Sequence, residues 1–488
     1  MKRDRLYASL GLAFVLTSFA HAIDPLIPLK LTTPPTIDGK LDDAVWQQAP
    51  NVTGFKTFVP DYGQDMPDQT VVYYAYDREN FYFAFRCYDR EPEKIKSSVT
   101  RRDNIRADDW ICINLDSFND QQALYGFYVN PAGIQMDTRF ASGAEDDGID
   151  LIWYSGGTVD KDGYTIEVQI PFKSIRFANK DTVEMGVIFE RKVSRRSEQG
   201  TFPALKPARG MFFLTQMKPI LYHDVKHYKL FELLPATTFS EKLSRQPDAL
   251  VSEGKDYEGS LTAKYGITSE LILDGTYNPD FSQVESDAGQ VDVNLRFALF
   301  YPEKRPFFTE GAENFNFAGT THGDPLFAVV HTRTIGDPLA GVKLSGKFGK
   351  KNFLSSLNAI DELPAGEVDE RAYFSTFRYK RALNDDSFFG AIYTGREREH
   401  GFNRVLGGDG LFRVNESSLL GFHTLASQTQ AGPSAATKWD HAVGLDYLYT
   451  TRNLNVNLGA QDLSPNFQTE TGFVTRIGIS RVRATVVP

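Results

Sequence analysis

Residues 441–450 and 453–461 alternate between apolar residues and polar or small residues. Val443, Leu445 and Tyr447 share one face of the first stretch, and the second carries only Asn, Gly and Gln opposite its apolar residues. Successive side chains of a strand point to opposite faces, so both stretches predict strands of about ten residues. A face of Asn and Gly cannot pack a protein core, which is typical of an outer-membrane β-barrel with a wet interior. A soluble β-sheet, which alternates similarly, is the alternative.

Turn signals divide the first half of the chain into shorter strands. Residues 131–133 (Pro-Ala-Gly) and 160–163 (Asp-Lys-Asp-Gly) are examples. Short antiparallel strands at this spacing predict a β-sandwich over residues 23–237. Residues 238–256 are polar and weakly patterned, which indicates a linker, and residues 257–488 are assigned to the barrel. The predicted fold class is all-β: an N-terminal β-sandwich followed by a C-terminal antiparallel outer-membrane-type β-barrel.

Residues 1–22 have the charge and hydropathy pattern of a secretory signal peptide. A basic start precedes a mostly apolar core from Leu6 to Phe19, and Ala20-His21-Ala22 is a small-x-small cleavage site. The apolar core is shorter than the ~20 residues that cross a bilayer as a helix, which disfavours the alternative of an N-terminal membrane anchor. The mature protein is therefore predicted to be exported.

The net charge of the chain is −10 at neutral pH. An acidic surface repels phosphate backbones, which argues against nucleic acid as a partner. The same balance is compatible with neutral glycans, and with calcium at acidic loops.

The two cysteines, Cys87 and Cys112, differ in the strand face that they occupy. Cys87 is in phase with the apolar Phe83 and Phe85, whereas Cys112 is out of phase with Ile111. A disulfide is compatible with an oxidising compartment. The phasing instead favours the alternative of two buried or half-buried thiols.

Residues 36–46 (TIDGKLDDAVW) predict a tight turn at Asp38-Gly39 and then a short helical turn that ends on a buried Trp46. Together with residues 108–116, 127–133 and 163–172, in this order, the motif resembles the family 9 carbohydrate-binding modules. The resemblance implies a β-sandwich that binds an oligo- or polysaccharide. Modules of this kind also occur as structural appendages.

A sugar site requires aromatic ring faces and a few fixed polar groups. Trp110 and Trp153 are the candidate ring platforms. Candidates for hydrogen bonds to sugar hydroxyls are Arg86, Arg102, Asp109, Asn130 and Asp137. Tryptophans at strand starts also serve as core residues, which is the structural alternative for both rings.

The resemblance also makes calcium a candidate cofactor. Asp146, Asp147 and Asp150 form an acidic loop whose carboxylates can offer oxygen ligands. A solvated charged loop is the alternative for these three residues.

Residues 277–287 and 300–311 are unusually dense in charge, Pro and Phe. With residues 332–338 and 463–476 they resemble an uncharacterised family of outer-membrane-barrel-like proteins that often follow a family 9-like module. The members of that family normally run further than this chain, which ends without a terminal aromatic strand. We therefore expect the chain to be a fragment.

The carboxylates of these motifs are Asp280, Glu285, Asp287, Glu303 and Glu310. Because Lys304 and Arg305 lie among them, one interpretation is a charge network that braces an inward-folded loop. A glycosidase also uses two carboxylates, so Asp280, Glu285 and Glu303 are the candidate catalytic residues if the chain is an enzyme.

These patterns predict an exported carbohydrate-binding envelope protein that handles glycans at the outer membrane, in polysaccharide catabolism. Its partners are an oligo- or polysaccharide and outer-membrane lipid, and its sandwich is periplasmic or exposed at the cell surface. One alternative is a glycoside hydrolase or an accessory to one, although no phosphate loop, zinc motif or nucleophile elbow supports another chemistry. The other is a structural barrel protein whose sandwich binds no sugar.

Overall fold

The computed structural model describes residues 24–487 except 142–143, 207–212, 246–248, 280–299, 302, 310, 319–323, 350, 365, 367, 385–386 and 452. Regular structure in this part of the chain is almost entirely β-strand, with two short α-helices. The predicted signal peptide, residues 1–22, lies outside the described residues. Within the described residues no helix has the length and apolar character needed to cross a membrane.

The described residues form 28 strands and two α-helices. The first half contains α1 (Ala44–Gln48) and the strands β1 (Leu29–Lys30), β2 (Asn51–Val52), β3 (Lys56–Val59), β4 (Thr70–Tyr76), β5 (Asn80–Tyr88), β6 (Trp110–Asp116), β7 (Ala123–Val129), β8 (Gln135–Ala141), β9 (Ala144–Asp146), β10 (Tyr154–Asp160), β11 (Gly163–Pro171), β12 (Thr182–Val193), β13 (Glu198–Phe202) and β14 (Lys218–His223). The second half contains α2 (Pro306–Thr309) and the strands β15 (Phe231–Arg245), β16 (Leu250–Gly266), β17 (Leu271–Tyr277), β18 (Leu326–Ala328), β19 (Pro338–Phe348), β20 (Asn352–Glu362), β21 (Arg371–Asn384), β22 (Ser387–Arg398), β23 (Gly401–Asn415), β24 (Ser418–Gln430), β25 (Lys438–Thr450), β26 (Asn455–Leu463), β27 (Phe473–Val474) and β28 (Ile479–Val487).

The strands of the first half form two sheets around one core. Sheet I has the order β1-β4-β5-β11-β10, with β2 also paired to β4. Sheet II has the order β3-β13-β12-β6-β7-β8-β9, with β14 also paired to β12. Phe83 and Phe85 of sheet I meet Phe189 of sheet II with ring centroids 5.7 and 5.8 Å apart. The predicted β-sandwich is confirmed, since the alternating strands of both sheets turn apolar side chains into this shared core.

The strands of the second half form sheet III, in the order β15-β16-β17-β19-β20-β21-β22-β23-β24-β25-β26-β28. Neighbours in this order pair antiparallel and follow one another along the chain. They skip only β18 and β27, which pair with each other. This up-and-down order is that of outer-membrane barrels, so the all-β fold class predicted for the chain is confirmed.

The linker predicted at residues 238–256 is replaced by a hairpin. These residues belong to β15, β16 and the connection between them, and the two strands pair from Phe231↔Tyr265 to Arg245↔Leu250. Only residues 261–266 of β16 also pair with β17. The rest of the hairpin therefore has no third strand beside β16, and most of its side chains are exposed. A strand pair that is exposed on both faces does not need an alternating sequence, so residues 238–256 have the polar, weakly patterned sequence of a linker.

Cys87 and Cys112 are both buried and unpaired. Cys87 belongs to the core between sheets I and II. Cys112 packs with Trp110 and Tyr128 on the other face of sheet II. The phase difference predicted from the sequence therefore places the two thiols on opposite faces, and the structure has the alternative of two buried thiols.

Candidate functional site

The TIDGK motif near the N-terminus is held by a single buried carboxylate. Glu167 accepts hydrogen bonds from the backbone N–H of Asp38 and Gly39, at 3.1 and 2.9 Å, and from the Trp46 indole at 2.7 Å. Gly39 has φ +83°, and a Cβ there would lie 2.6 Å from the backbone nitrogen of Gly157. Burial raises the pKa of Glu167 to about 7 against the opposing effect of its three donors. The motif therefore has a structural role, in which Trp46 is buried and hydrogen-bonded. We call Asp38, Gly39, Trp46 and Glu167 the clasp.

The outer face of sheet II carries a different cluster, at residues 110–114 of β6 and their neighbours. Trp110 and Tyr128 stand edge to face, with ring centroids 5.1 Å apart. Cys112 of β6 is opposite Tyr128 of β7 and Glu190 of β12, so the three strands present these side chains side by side. Asn114 donates a hydrogen bond to Glu190 at 3.0 Å. We call Trp110, Asn114, Tyr128, Glu145 and Glu190 the aromatic–acid face.

Two carboxylates set the charge of the aromatic–acid face. The pKa of Glu190 is raised to about 7, mainly by burial and next by the charge of Glu145, against the opposing effect of the hydrogen bond from Asn114. Tyr128 donates its hydroxyl to Glu145 at 3.0 Å. Arg106 lies 3.5 Å from Glu145 and completes an edge of fixed polar groups. Aromatic rings beside directed donors and acceptors are the chemistry that binds sugar rings. Trp110 and Tyr128 are themselves buried, 7% and 8% exposed, and pack with Ile105 and Met136, so only their edges border the polar groups.

Two of the predicted site residues, Asp109 and Asn130, use their side chains in hydrogen bonds within the protein. The Asp109 carboxylate accepts the backbone N–H of Ser194 at 2.8 Å. Asn130 is fully buried; it donates to Asp108 and accepts the N–H of Ile134. These contacts hold the loop before β6 and the β7–β8 turn. Of the predicted site residues, Trp110 itself is the one that lies on the aromatic–acid face.

Trp153 lies in the sandwich interior, where its ring meets Phe127 edge to face at 5.2 Å. Arg102 pairs with Asp137 and sits 6.0 Å from the Trp153 ring. Burial raises the pKa of Asp137, opposed by the Leu151 N–H and by Arg102. The structure therefore brings Trp153, Arg102 and Asp137 together, but away from the aromatic–acid face.

Arg86 lies on sheet I, where it pairs with Asp160 of the neighbouring hairpin. This pair joins β5 to the end of β10. Arg86 is therefore separated from Trp110, which is on sheet II.

The predicted acidic loop contains two further ion pairs. Asp147 lies 3.2 Å from Arg106, and Asp150 lies 3.5 Å from Arg102. The side chain of Asp146 lies outside the described residues. Each of the two carboxylates whose side chains are described is therefore paired with an arginine.

A separate carboxylate–imidazole cluster lies before β23. Asp369, Glu399 and His400 place one possible ligand atom each within 4.8 Å of one another, the only such group among the described residues. His400 contacts Asp369 through both its ring Nδ1 and its backbone N–H. These contacts account for the position of the imidazole without an ion.

Of the carboxylates in the second half, Asp280, Glu285, Asp287 and Glu310 lie outside the described residues or carry no described side chain. Glu303 is described, and it accepts hydrogen bonds from the guanidinium of Arg305 at 2.8 Å and from the Thr332 hydroxyl at 2.6 Å. Arg305 also donates to the carbonyl oxygen of Ile335. Glu303 therefore ties two parts of the connection between β17 and β19 to each other.

That connection and the one before β28 cover one face of sheet III. We call residues 300–301, 303–309, 311–318, 324–337 and 464–476 the inner segments. Asp409 pairs with Arg378 at 2.6 Å and accepts the backbone N–H of Ala318 at 2.8 Å. An ion pair on sheet III thus holds an inner segment by a hydrogen bond. Hydrogen bonds also join sheet III to the last inner segment: Thr394 to Thr471, Asn403 to Gln468 and Arg398 to Glu470.

Sequence reasoning missed Asn114, Tyr128, Glu145 and Glu190. Tyr128 was visible as an aromatic residue in an apolar strand, out of phase with the core residue Phe127. Glu190 and Asn114 are 76 residues apart and meet only because β12 pairs with β6. A single sequence contains no signal for that pairing.

Two family models match the chain. Residues 37–201 match the carbohydrate family 9 binding domain-like family, and residues 236–323 match a domain of unknown function, DUF5916. This confirms the predicted order, in which a family 9-like module precedes an uncharacterised domain. The first domain is thus of a carbohydrate-binding type. No curated protein matches the chain.

Three solved structures are among its distant likenesses. A provisionally named carbohydrate-binding protein from Bacteroides uniformis has a TM-score of 0.33 and 12% identity, covering 40% of this chain and 97% of its own. Salmonella typhi OmpF in complex with daunomycin has a TM-score of 0.28 and 9% identity, covering 89% of this chain and 94% of its own. The outer membrane channel DcaP of Acinetobacter baumannii has a TM-score of 0.28 and 10% identity, covering 78% and 96%. All three TM-scores are below 0.5, so no ligand or activity transfers from these proteins.

Proposed function

We propose that the chain is an exported envelope protein that binds glycans through the aromatic–acid face, as part of polysaccharide use at the outer membrane. One observation carries this proposal: on a family 9-like domain, Trp110 and Tyr128 stand beside the polar groups of Asn114, Glu145 and Glu190. Sheet II supplies all five: Glu190, Trp110, Asn114 and Tyr128 come from the adjacent strands β12, β6 and β7, and Glu145 comes from β9, two strands beyond β7. The face is therefore held by the sandwich core beneath it.

The polar groups of the face suit sugar hydroxyls. Asn114 holds one carboxylate oxygen of Glu190 at 3.0 Å, which fixes the direction of the other. Glu190 is half-buried, so a hydroxyl that donates to it replaces little water. Glu145 is oriented in the same way by Tyr128 and Arg106. Two oriented carboxylates next to ring edges can read the hydroxyl pattern of a sugar.

The exposure pattern of sheet III supports a place in the outer membrane. Phe377, Leu406 and Leu445 point away from the inner segments and are 46%, 63% and 50% exposed. Arg378 and Asp409, on the opposite face of the same sheet, are 1% and 2% exposed. An apolar outside with a polar inside is stable in lipid, where the solvent is the bilayer.

The test is a titration of the full chain in detergent micelles, followed by tryptophan fluorescence. The probes are cellohexaose, xylohexaose, laminarihexaose and maltohexaose. We expect at least one to bind, and Trp110→Ala to weaken that binding at least about tenfold, as expected for a buried aromatic anchor. Trp439→Ala removes an exposed tryptophan of sheet III and is the matched control.

A second variant guards against loss of folding in Trp110→Ala. Glu190→Gln keeps the shape of the side chain and removes the charge, and Asp162→Asn makes the same change in an exposed turn. We expect only Glu190→Gln to weaken binding. A folded wild-type chain that binds none of the four probes, or equal binding by Glu190→Gln and Asp162→Asn, would overturn the proposal.

A further inference from the structure

The sandwich and sheet III meet around the β6–β7 connection, residues 117–122. Lys347 of β19 pairs with Asp120 of this connection and lies 4.3 Å from the centre of the Phe118 ring. A cavity of about 300 Å³ opens beside this contact, lined by both domains. A smaller cavity of about 60 Å³ adjoins it and shares Phe118, Asp120 and Lys347. We call the two together the junction cavity.

The junction cavity is cationic in an acidic protein. Its basic residues outnumber its acidic residues by six to three, a net charge of +3 in a chain of net charge −10. The basic residues are Arg139, Arg176, Lys180, Lys347, Lys351 and Lys380, and the acidic residues are Asp120, Glu184 and Glu270. Low-dielectric walls lined by one sign of charge concentrate ligands of the opposite sign.

Aromatic rings hold several of these cations. Arg139 lies 4.3 Å from the centre of the Tyr125 ring, and Lys380 lies 5.3 Å from that of Phe388. Lys347 lies 5.1 Å from that of Phe353, which also lines the cavity. A ring face attracts a cation through its quadrupole and so helps to position it.

The buried hydroxyl of Tyr125 reports the local potential. Burial raises its pKa, but the positive charges of Arg139 and Arg176 outweigh burial, and the pKa is lowered. Arg176 also hydrogen-bonds this hydroxyl. The two guanidinium groups are therefore oriented at one wall of the cavity before any ligand enters.

We infer that the junction cavity binds a carboxylate-bearing sugar unit, a uronate, of the glycan that the sandwich recognises. A guanidinium group binds a carboxylate through two parallel hydrogen bonds. Phe118 and Phe353, whose rings both lie beside Lys347, add apolar lining for the C–H groups of a pyranose. The volume is at the lower end for small-molecule sites and suits one or two sugar rings. The inference rests on the proposed function and narrows its substrate class to acidic glycans.

The experiment is isothermal titration of the full chain in detergent with trigalacturonate, maltotriose and inorganic phosphate. Arg176→Gln and Lys380→Gln each remove one cavity cation. Lys161→Gln, in an exposed turn of the sandwich, makes the same charge change elsewhere. We expect trigalacturonate to bind more tightly than maltotriose and each cavity variant to weaken it about tenfold. Lys161→Gln should leave it unchanged.

Trigalacturonate binding that both cavity variants leave intact would overturn the inference, and so would phosphate that binds in the cavity while trigalacturonate does not. Binding of a neutral hexaose, weakened by Glu190→Gln, reports the aromatic–acid face separately. Retained hexaose binding shows that a cavity variant is folded. Hexaose binding without trigalacturonate binding defeats this inference alone, whereas loss of both in the folded wild type defeats the proposed function as well.

Discussion

The sandwich and sheet III share the same β alternation, but sheet III buries charged pairs beside its apolar residues and exposes large apolar side chains on its other side. In the sandwich, Phe83, Phe85 and Phe189 are fully buried between two sheets. In sheet III the side turned to the inner segments buries the charged pair Arg378 and Asp409 beside apolar side chains such as Phe374 and Ile392, and the other side carries exposed apolar side chains such as Leu406. A period of two therefore defines two faces in both domains but does not define which face meets solvent. The difference is the one that the proposed outer-membrane location requires, with water around the sandwich and lipid around sheet III.

The buried charges of sheet III have specific partners. Arg378 contacts Asp409 and the carbonyl oxygen of Asn316, and Asp409 accepts the N–H of Ala318. Lys343 likewise lies 3.3 Å from Asp274 and donates to the carbonyl oxygen of Phe307. A buried charge is tolerated when it is paired and hydrogen-bonded. The inner segments therefore contribute to the stability of sheet III, whose face they cover.

The largest effect is expected from breaking one of these pairs. Asp409→Ala leaves the Arg378 guanidinium buried without its carboxylate, which should lower the free energy of unfolding by roughly 3–5 kcal/mol. Guanidinium unfolding of the protein in lipid vesicles measures it. The double variant Arg378→Met/Asp409→Leu should recover much of the loss, since no charge is then stranded. A loss below about 1 kcal/mol for Asp409→Ala would show that the pair is hydrated.

The next effect tests this difference between the two domains directly. Leu406→Arg places a charge on the apolar outside of sheet III and should cost about 2–4 kcal/mol in a bilayer. Val99→Arg makes the same change at an 88% exposed position of the sandwich, where a cost within about 0.5 kcal/mol is expected. Unfolding in vesicles compares the two variants. Equal costs would contradict the placement of Leu406 against lipid.

The third effect is the pH dependence that Glu190 adds to the sandwich. Its pKa of about 7 lies above the ordinary value of 4.5, so between these values the folded chain holds a proton that the unfolded chain has released. The free energy of unfolding should therefore fall as pH rises from 4.5 to 7, by at most about 3 kcal/mol, and level off above. Glu190→Gln should flatten this slope. Parallel slopes for the variant and the wild type would contradict the assignment to Glu190.

The smallest effect concerns the clasp on sheet I. Trp46→Phe keeps an aromatic ring in place but removes the indole N–H that Glu167 accepts at 2.7 Å. We expect a loss of about 1.5 kcal/mol, the lower range for a hydrogen bond to a charged group. Tyr82→Phe, which removes a hydroxyl bonded to the Asp77 carboxylate on the same sheet, is the control for loss of one such bond. A larger loss for Tyr82→Phe would mean that the clasp is not the stronger restraint.

The strand pattern of the sandwich could be predicted, whereas its site could be predicted only in part. Turn signals and alternation located β4 to β8, because both are properties of neighbouring residues. Trp110 and Trp153 looked equivalent, since each stands at the start of a strand. Their different positions follow from the packing of sheet II against sheet I, which leaves Trp110 outside the core and Trp153 within it.

The sequence by itself determined the β character of both halves, the turn at Gly39 and the opposite phases of the two cysteines. These depend on backbone sterics and on a period of two, which act between neighbours along the chain. Only the tertiary structure decided that Glu190 meets Asn114 and that Arg378 pairs with Asp409 on the buried side of sheet III. Those outcomes depend on strand register and on the surrounding solvent, which join residues far apart in sequence.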